Sequence, residues 1–255
     1  MYDMAISIVI FVYGLLIGSF LNVCIYRIPL GKSVTRGRSY CTSCNALIPL
    51  YCNIPLFSYI FLKGRCKDCG EKFSVIYPIV ELLNALLYLE IWLLYGPSPQ
   101  SLFIALLFSV LIIITFIDLK HQVIPNGLVL IILILAVLYS LYMILMQDEP
   151  WYSYVIGFFA ASLPLFILAL IYPGGMGGGD IKLMAAAGLY MGWKLILLSL
   201  FMGAIYGGIV SIFIIATKKG SMKTAIPFGP LLSLGIITSL LFGEQILTWY
   251  FALWV

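Results

Sequence analysis

The sequence predicts an all-α polytopic membrane protein, with about eight transmembrane helices and a cytoplasmic zinc-ribbon-like loop after the first helix. Three observations predict it. The 255-residue chain is 63% apolar and only 9% charged, with a mean hydropathy of +1.12, far more apolar surface than a water-soluble core of this size requires. Several stretches reach the ~18–20 apolar residues that cross a bilayer. Of the 14 Lys and Arg residues, all but Lys194 fall in loops that the spans place on one side.

The expected spans are residues 4–26, 74–95, 101–117, 127–146, 153–172, 181–192, 195–217 and 226–243. The first has no basic segment before it and no small-residue cleavage site after it, so it reads as a retained helix and not a removed signal peptide. The second begins after the cysteine loop, with Glu81 near its inner end and Glu90 nearer its outer end. The third closes on Asp118, and the Ile124-Pro125 pair separates it from the fourth. The fifth opens after Asp148, Glu149 and Trp151. The sixth, between Asp180 and the turn Gly192-Trp193-Lys194, has only 12 residues, and the seventh and eighth flank a loop carrying Lys218, Lys219 and Lys223. The basic side is cytoplasmic by the positive-inside rule, which puts both termini outside. The overall charge of +4 is thereby a topology signal, and no nucleic-acid partner is needed to explain it.

The loop after the first span carries Cys41-x2-Cys44 and Cys66-x2-Cys69, with 21 residues between the pairs. Two such knuckles suit four thiolates around tetrahedral zinc, a closed site that folds the loop and activates no water. A reducing compartment disfavours disulfides. Cys24 reads as a packed small hydrophobe and Cys52 as an unligated thiol.

Asp118 and Asp180 stand out because ionisable groups at membrane depth are costly and usually functional. About 17 residues precede Asp118 in its span, ~25 Å of helix, which puts it near the cytoplasmic boundary of a core ~30 Å thick. Asp180 is recessed from the same side, so a cytoplasm-facing cleft, partly within the membrane, is expected. Six of the seven residues from 174 to 180 are Gly or Asp. Phosphate-loop spacing is absent, and a glycine-rich strand of Gly177, Gly178 and Gly179, with Lys182 beyond, suits a peptide substrate passing close to the backbone. Two neighbouring carboxylates point to acid–base hydrolysis. By helix ends alone, Asp180 opens a helix and would be the ionised base, while Asp118 closes one and would be the protonated acid. His121 is the single histidine and reads as an interfacial side chain, so neither Cys–His nor Ser–His–Asp machinery is available.

Several motifs occur in a specific order. Gly18-Ser19-Phe20-Leu21-Asn22-Val23 with Tyr26-Arg27 comes first, then the knuckles enclosing Asn53-Ile54-Pro55 and Ser58-Tyr59, then Tyr77-Pro78-Ile79-Val80-Glu81. Asp118 with Ile124-Pro125-Asn126, Gly177-Gly178-Gly179-Asp180-Ile181-Lys182, and Ile226-Pro227-Phe228-Gly229-Pro230 complete the set. In this the chain resembles the bacterial type IV prepilin peptidases, leader peptidases and N-methyltransferases of the GxGD aspartic class. The resemblance implies catalysis by Asp118 and Asp180 and cleavage of a short basic leader from prepilins or pseudopilins in the cytoplasmic membrane. It also implies S-adenosylmethionine as methyl donor, with Asn22, Arg27, Asn53 and Glu81 as the residues to hold it. Cys52, Ile76 and Asn126 stand where the family commonly has an acidic or amide residue, a basic residue and an aspartate. The expected division is a first helix (1–26), a cysteine loop (27–73) and a membrane peptidase domain (74–255). A proton-coupled transporter with the aspartates as a relay is the alternative, but no internal repeat is visible and the cysteine loop has no part in it.

Overall fold

The computed structural model describes residues 4–37, 39–41, 43–49, 52, 54–172, 175–217 and 226–253. Asn53, expected at the cofactor site, lies outside them. The helices are α1 (Met4–Arg27), α2 (Phe57–Phe61), α3 (Ile76–Tyr95), α4 (Pro99–His121), α5 (Asn126–Met146), α6 (Trp151–Ala160), α7 (Ser162–Ile171), α8 (Gly178–Ala216) and α9 (Gly229–Ala252). Among the described residues there is no β-strand, only the isolated antiparallel bridges Tyr40–Leu47 and Arg65–Lys72.

Seven stretches are long and apolar enough to cross a membrane, α6 and α7 together forming one. Large apolar side chains such as Leu138, Phe201 and Ile212 stay exposed along them, as a protein solvated by lipid requires. The α6–α7 break falls at Ala161, a turn before Pro164; the proline has no N–H to continue the ladder.

The 39 residues of α8 would measure ~58 Å, about twice the hydrocarbon core. The helix is in fact two arms meeting at Gly192, whose φ of 76° and ψ of 171° only glycine adopts easily. Gly192 and Gly188 lie against Ser153 and Gly157 of α6, whereas Leu195, Ser199 and Gly203 meet Gly243, Gly235 and Leu231 of α9. Residues 178–191 therefore pack on α6 and residues 193–216 on α9, two arms that correspond to the spans expected at 181–192 and 195–217.

The chain packs as two compact units, Met1–Ile113 and Ile114–Val255, with α4 contributing to both. In the first, Gly14 and Gly18 let α1 approach the backbone of Ala85 and Glu81 on α3. Asn84 donates to the Gly14 carbonyl (2.7 Å), Ser109 donates to Asn84 Oδ1 (3.2 Å), and the Tyr88 and Ser109 hydroxyls lie 2.9 Å apart. In lipid such bonds join helices that hydrophobicity alone does not hold together. In the second unit the arms of α8 pack on α5, α6 and α9.

At the α6–α8 crossing, a Cβ on Gly188 would overlap the main chain of Gly157. Gly188→Ala is expected to lower stability by ~1–3 kcal/mol through overpacking. Gly208→Ala, where the same helix has open space, is expected to leave it unchanged. Thermal unfolding of both variants in detergent checks this.

Candidate active site

Gln122, at φ 54°, ends α4 one turn after Asp118, and its N–H donates to the Asp118 carbonyl. The chain then extends through Ile124 and Pro125 (ψ 127°) into α5. Asp180 lies in the first turn of α8, three residues after the Gly177 N-cap. Both carboxylates are buried, Asp118 at 5% and Asp180 at 8% exposed, and Ile124 lies against both Gly179, the neighbour of Asp180, and Gly229, which bonds Asp118. The structure thus brings together the two aspartates, 62 positions apart in sequence.

Three further groups define this centre. The main-chain N–H of Gly229, first residue of α9, donates to Asp118 Oδ2 at 3.0 Å in a buried bond. Gly177 lies beside the other carboxylate, with Asp180 Oδ2 3.0 Å from the position a Cβ would take there. Ile124 is wedged between the two arms of the site, because Cβ atoms on Gly179 and Gly229 would come within 2.9 and 3.1 Å of its side chain. The sequence contained the relevant signals in Ile124-Pro125 and Pro227-Phe228-Gly229-Pro230, but a main-chain donor has no side-chain signature.

Lys182 is placed differently from the glycines. It follows Asp180 by two residues, ~200° around the helix, and its Nζ donates to Asn126 Oδ1 at 3.1 Å. It borders a second, largely apolar cavity of about 270 Å³ that includes Val129, Leu133 and Ala185.

In the first unit the four thiols of Cys41, Cys44, Cys66 and Cys69 gather with all Sγ atoms within 4.8 Å of one another, so they could hold a metal ion. The knuckles are built alike. Asn45 and Gly70, at φ 58° and 72°, return N–H bonds to the carbonyls of Cys41 and Cys66. The Cys44 and Ser43 N–H groups hold the Cys41 thiol down to about 7. The Glu71 N–H pulls the same way on Cys69, but burial and the sulfurs of Cys44, Cys66 and Cys41 push it up to about 12. Four adjacent thiolates repel one another unless a cation is shared.

A cavity of this unit, about 180 Å³, is bounded by α1, the cysteine loop and α3. Asn22, Arg27 and Glu81 all line it, with Tyr26, Tyr59 and Tyr77. Each of the first three already serves the protein. Asn22 donates to the Tyr77 carbonyl (3.0 Å), and Glu81 Oε2 accepts the Leu56 N–H (2.9 Å). Arg27 donates to the carbonyls of Ser33, Arg36 and Gly37, clipping the start of the loop to α1.

Two family models match the chain: the bacterial peptidase A24 N-terminal domain over residues 12–95 and the type IV leader peptidase family over residues 105–212. A prepilin leader peptidase/N-methyltransferase of Bacillus subtilis is 35% identical, with 95% of this chain and 96% of the relative covered. Proteins of the same description from Aeromonas salmonicida and Legionella pneumophila are 35% and 31% identical, covering 94% and 100% of this chain and 92% and 97% of theirs. No solved structure matches. The buried carboxylate pair and the paired knuckles occur here in a multi-pass membrane fold, and the chain belongs to the type IV prepilin leader peptidase/N-methyltransferase family.

Proposed function

We propose that the protein is a membrane-embedded aspartic endopeptidase that removes the short basic leader of type IV prepilins or pseudopilins, and that it N-methylates the residue so exposed. The observation that carries the first part is the buried pair Asp118 and Asp180, each flanked by glycine and joined through the Ile124 contact. One carboxylate takes a proton from water as the oxygen attacks the scissile carbonyl, and the other, protonated, gives its proton to the carbonyl oxygen. The tetrahedral adduct then collapses as the first carboxyl passes the water proton to the departing nitrogen and the second recovers its proton from an adduct hydroxyl. The Gly229 N–H opposes the α4 dipole at Asp118, so helix ends alone no longer assign the two roles. Gly177, Gly178 and Gly179 leave room for the extended peptide. Lys182, on another face of α8, is assigned to the membrane-embedded part of the substrate. The charge asymmetry of the loops supports a cytoplasmic membrane location with both termini outside and the site facing the cytoplasm. The transporter alternative has no observation in its favour.

Zinc is the metal we assign to Cys41, Cys44, Cys66 and Cys69. Zn–S bonds of ~2.3 Å in a tetrahedron place sulfurs ~3.8 Å apart, and Cys41 Sγ and Cys69 Sγ are 3.8 Å apart. Zinc there secures the loop fold.

S-adenosylmethionine, which supplies an electrophilic methyl group when bound, is assigned to the cavity of the first unit. At about 180 Å³ that cavity falls below the ~300 Å³ at which enclosed ligand sites begin, so part of the donor sits in its open mouth. The tyrosines offer faces for the adenine, and the Glu81 carboxylate offers its charge to the cationic end. Arg27 and Asn22 hold the walls. Functionally, residues 27–73 serve methyl transfer together with Asn22 of α1 and Glu81 of α3, and the rest of 74–255 serves peptide cleavage, although packing divides the chain within α4.

Asp118→Asn and Asp180→Asn are each expected to lower cleavage of a prepilin with a glycine before the cut by about 10⁴-fold or more. Mass spectrometry of the new N-terminus in liposomes reads this, and undiminished cleavage by both variants would reject the dyad. Metal analysis should find one zinc per chain, lost in Cys41→Ser/Cys66→Ser together with protection of the loop from proteases; zinc retained by that variant would reject the assignment. Glu81→Gln is expected to weaken S-adenosylmethionine binding roughly tenfold, the scale of one charge-assisted hydrogen bond. Calorimetry measures it without turnover, and unchanged affinity would move the donor elsewhere.

A further inference from the structure

We infer that Gly229 is a positioning residue of the peptidase centre: the first main-chain N–H of α9 fixes the carboxylate of Asp118, and only glycine at that position lets it do so. The inference rests on the dyad proposed above and adds a third segment to it.

The geometry comes from one end of the second unit. The Gly229 N–H donates to Asp118 Oδ2 at 3.0 Å, in a bond that is buried on both sides. It belongs to the first turn of α9, where N–H groups have no partner within their own helix and the macrodipole is positive. Pro230, next in the chain, has no N–H, which leaves Gly229 to make the bond.

Glycine is required for steric reasons. A Cβ at 229 would sit 2.7 Å from Asp118 Oδ2 and 3.2 Å from its Cγ, atoms that the hydrogen bond itself keeps close. It would also meet Ile124 Cδ1 at 3.1 Å. A methyl group therefore forces the carboxylate away from the amide, even though the amide remains. The charged or titratable groups near Asp118 are few. Asp180 faces it from α8, while Lys120 and His121 on its own helix are exposed. A carboxylate held by one bond on one oxygen depends strongly on that bond for its rotamer, and misplacement by ~1 Å costs about 10²-fold in rate.

The Ile124 contact provides the means to separate positioning from ordinary packing. If Gly229→Ala acts by crowding Ile124, shortening that side chain to Val relieves it. If it acts by displacing Asp118, shortening Ile124 changes nothing. Gly207 supplies a second control, since a Cβ there meets Phe228 and Leu231 only at 3.6 and 3.4 Å, ordinary contact with the same end of α9.

The test has a kinetic and a spectroscopic arm. Gly229→Ala is expected to lower kcat at least tenfold with KM within twofold of wild type, in both the wild-type and the Ile124→Val backgrounds, each normalised to its own parent. Gly207→Ala is expected to stay within threefold. Rescue by Ile124→Val, or a loss carried by KM alone, would overturn the inference. The spectroscopic arm uses the native sequence at 229 and needs neither turnover nor a folded alanine variant. Labelling with carbonyl-13C phenylalanine and 15N glycine selects the two Phe–Gly amides of the chain, Gly229 and Gly243. Asp118→Asn is expected to shift one of the two amide proton signals upfield and leave the other in place, and two unmoved signals would overturn the inference. If wild-type protein cleaves no prepilin, the activity proposal fails while the amide measurement still decides the bond.

Discussion

The second unit depends on a close approach at Ile124. Its side chain lies against Gly179 on one side and Gly229 on the other, where Cβ atoms would come within 2.9 and 3.1 Å. Those glycines sit at the first turns of α8 and α9, so one isoleucine brings two helix N-termini to the C-terminal end of α4. Asp180 is carried in by the first helix start, and Asp118 receives its hydrogen bond from the second. The burial of both carboxylates follows from this seam. In a bilayer there is little hydrophobic gain from packing one apolar helix on another, so close backbone contact at small residues and internal hydrogen bonds hold the arrangement.

The same economy of small residues recurs through the fold. Gly157 and Gly188 allow α6 to cross the first arm of α8, and Gly235 and Gly203 allow α9 to cross the second. Gly192 breaks the helix between the arms. The first arm, 14 residues from 178 to 191, measures only ~21 Å, shorter than the ~30 Å hydrocarbon core.

The first unit shows how polar residues near a membrane surface serve the backbone before they serve any ligand. Arg27 satisfies three carbonyls of a loop without regular structure, Asn22 a carbonyl at the start of α3, and Glu81 an amide of the turn before α2. Unpaired, each of those main-chain groups would carry a desolvation cost of ~1–3 kcal/mol. The knuckles close the far end of the loop with main-chain bonds repeated around Cys41 and Cys66. The cavity is a consequence of this scaffolding, walled by residues whose first role is to hold the loop.

The sequence by itself determined the helical class, the spans to within a few residues except the last, whose helix runs on nine residues to Ala252, the cysteine cluster and the two aspartates as the residues of interest. Each is a local property: apolar run length, charge in loops, spacing of ligands, or a lone ionisable group in an apolar stretch. It also anticipated the break within α8, because Gly192-Trp193-Lys194 interrupts the apolar pattern where the backbone leaves the helical conformation. Only the tertiary structure decided which groups meet. Lys182, adjacent in sequence to Asp180, projects to another face because helical residues two apart diverge. Gly229, 111 positions from Asp118, supplies its hydrogen bond through a main-chain N–H that every non-proline residue possesses. No residue type marks such a donor, and its position depends on how α4, α8 and α9 pack together.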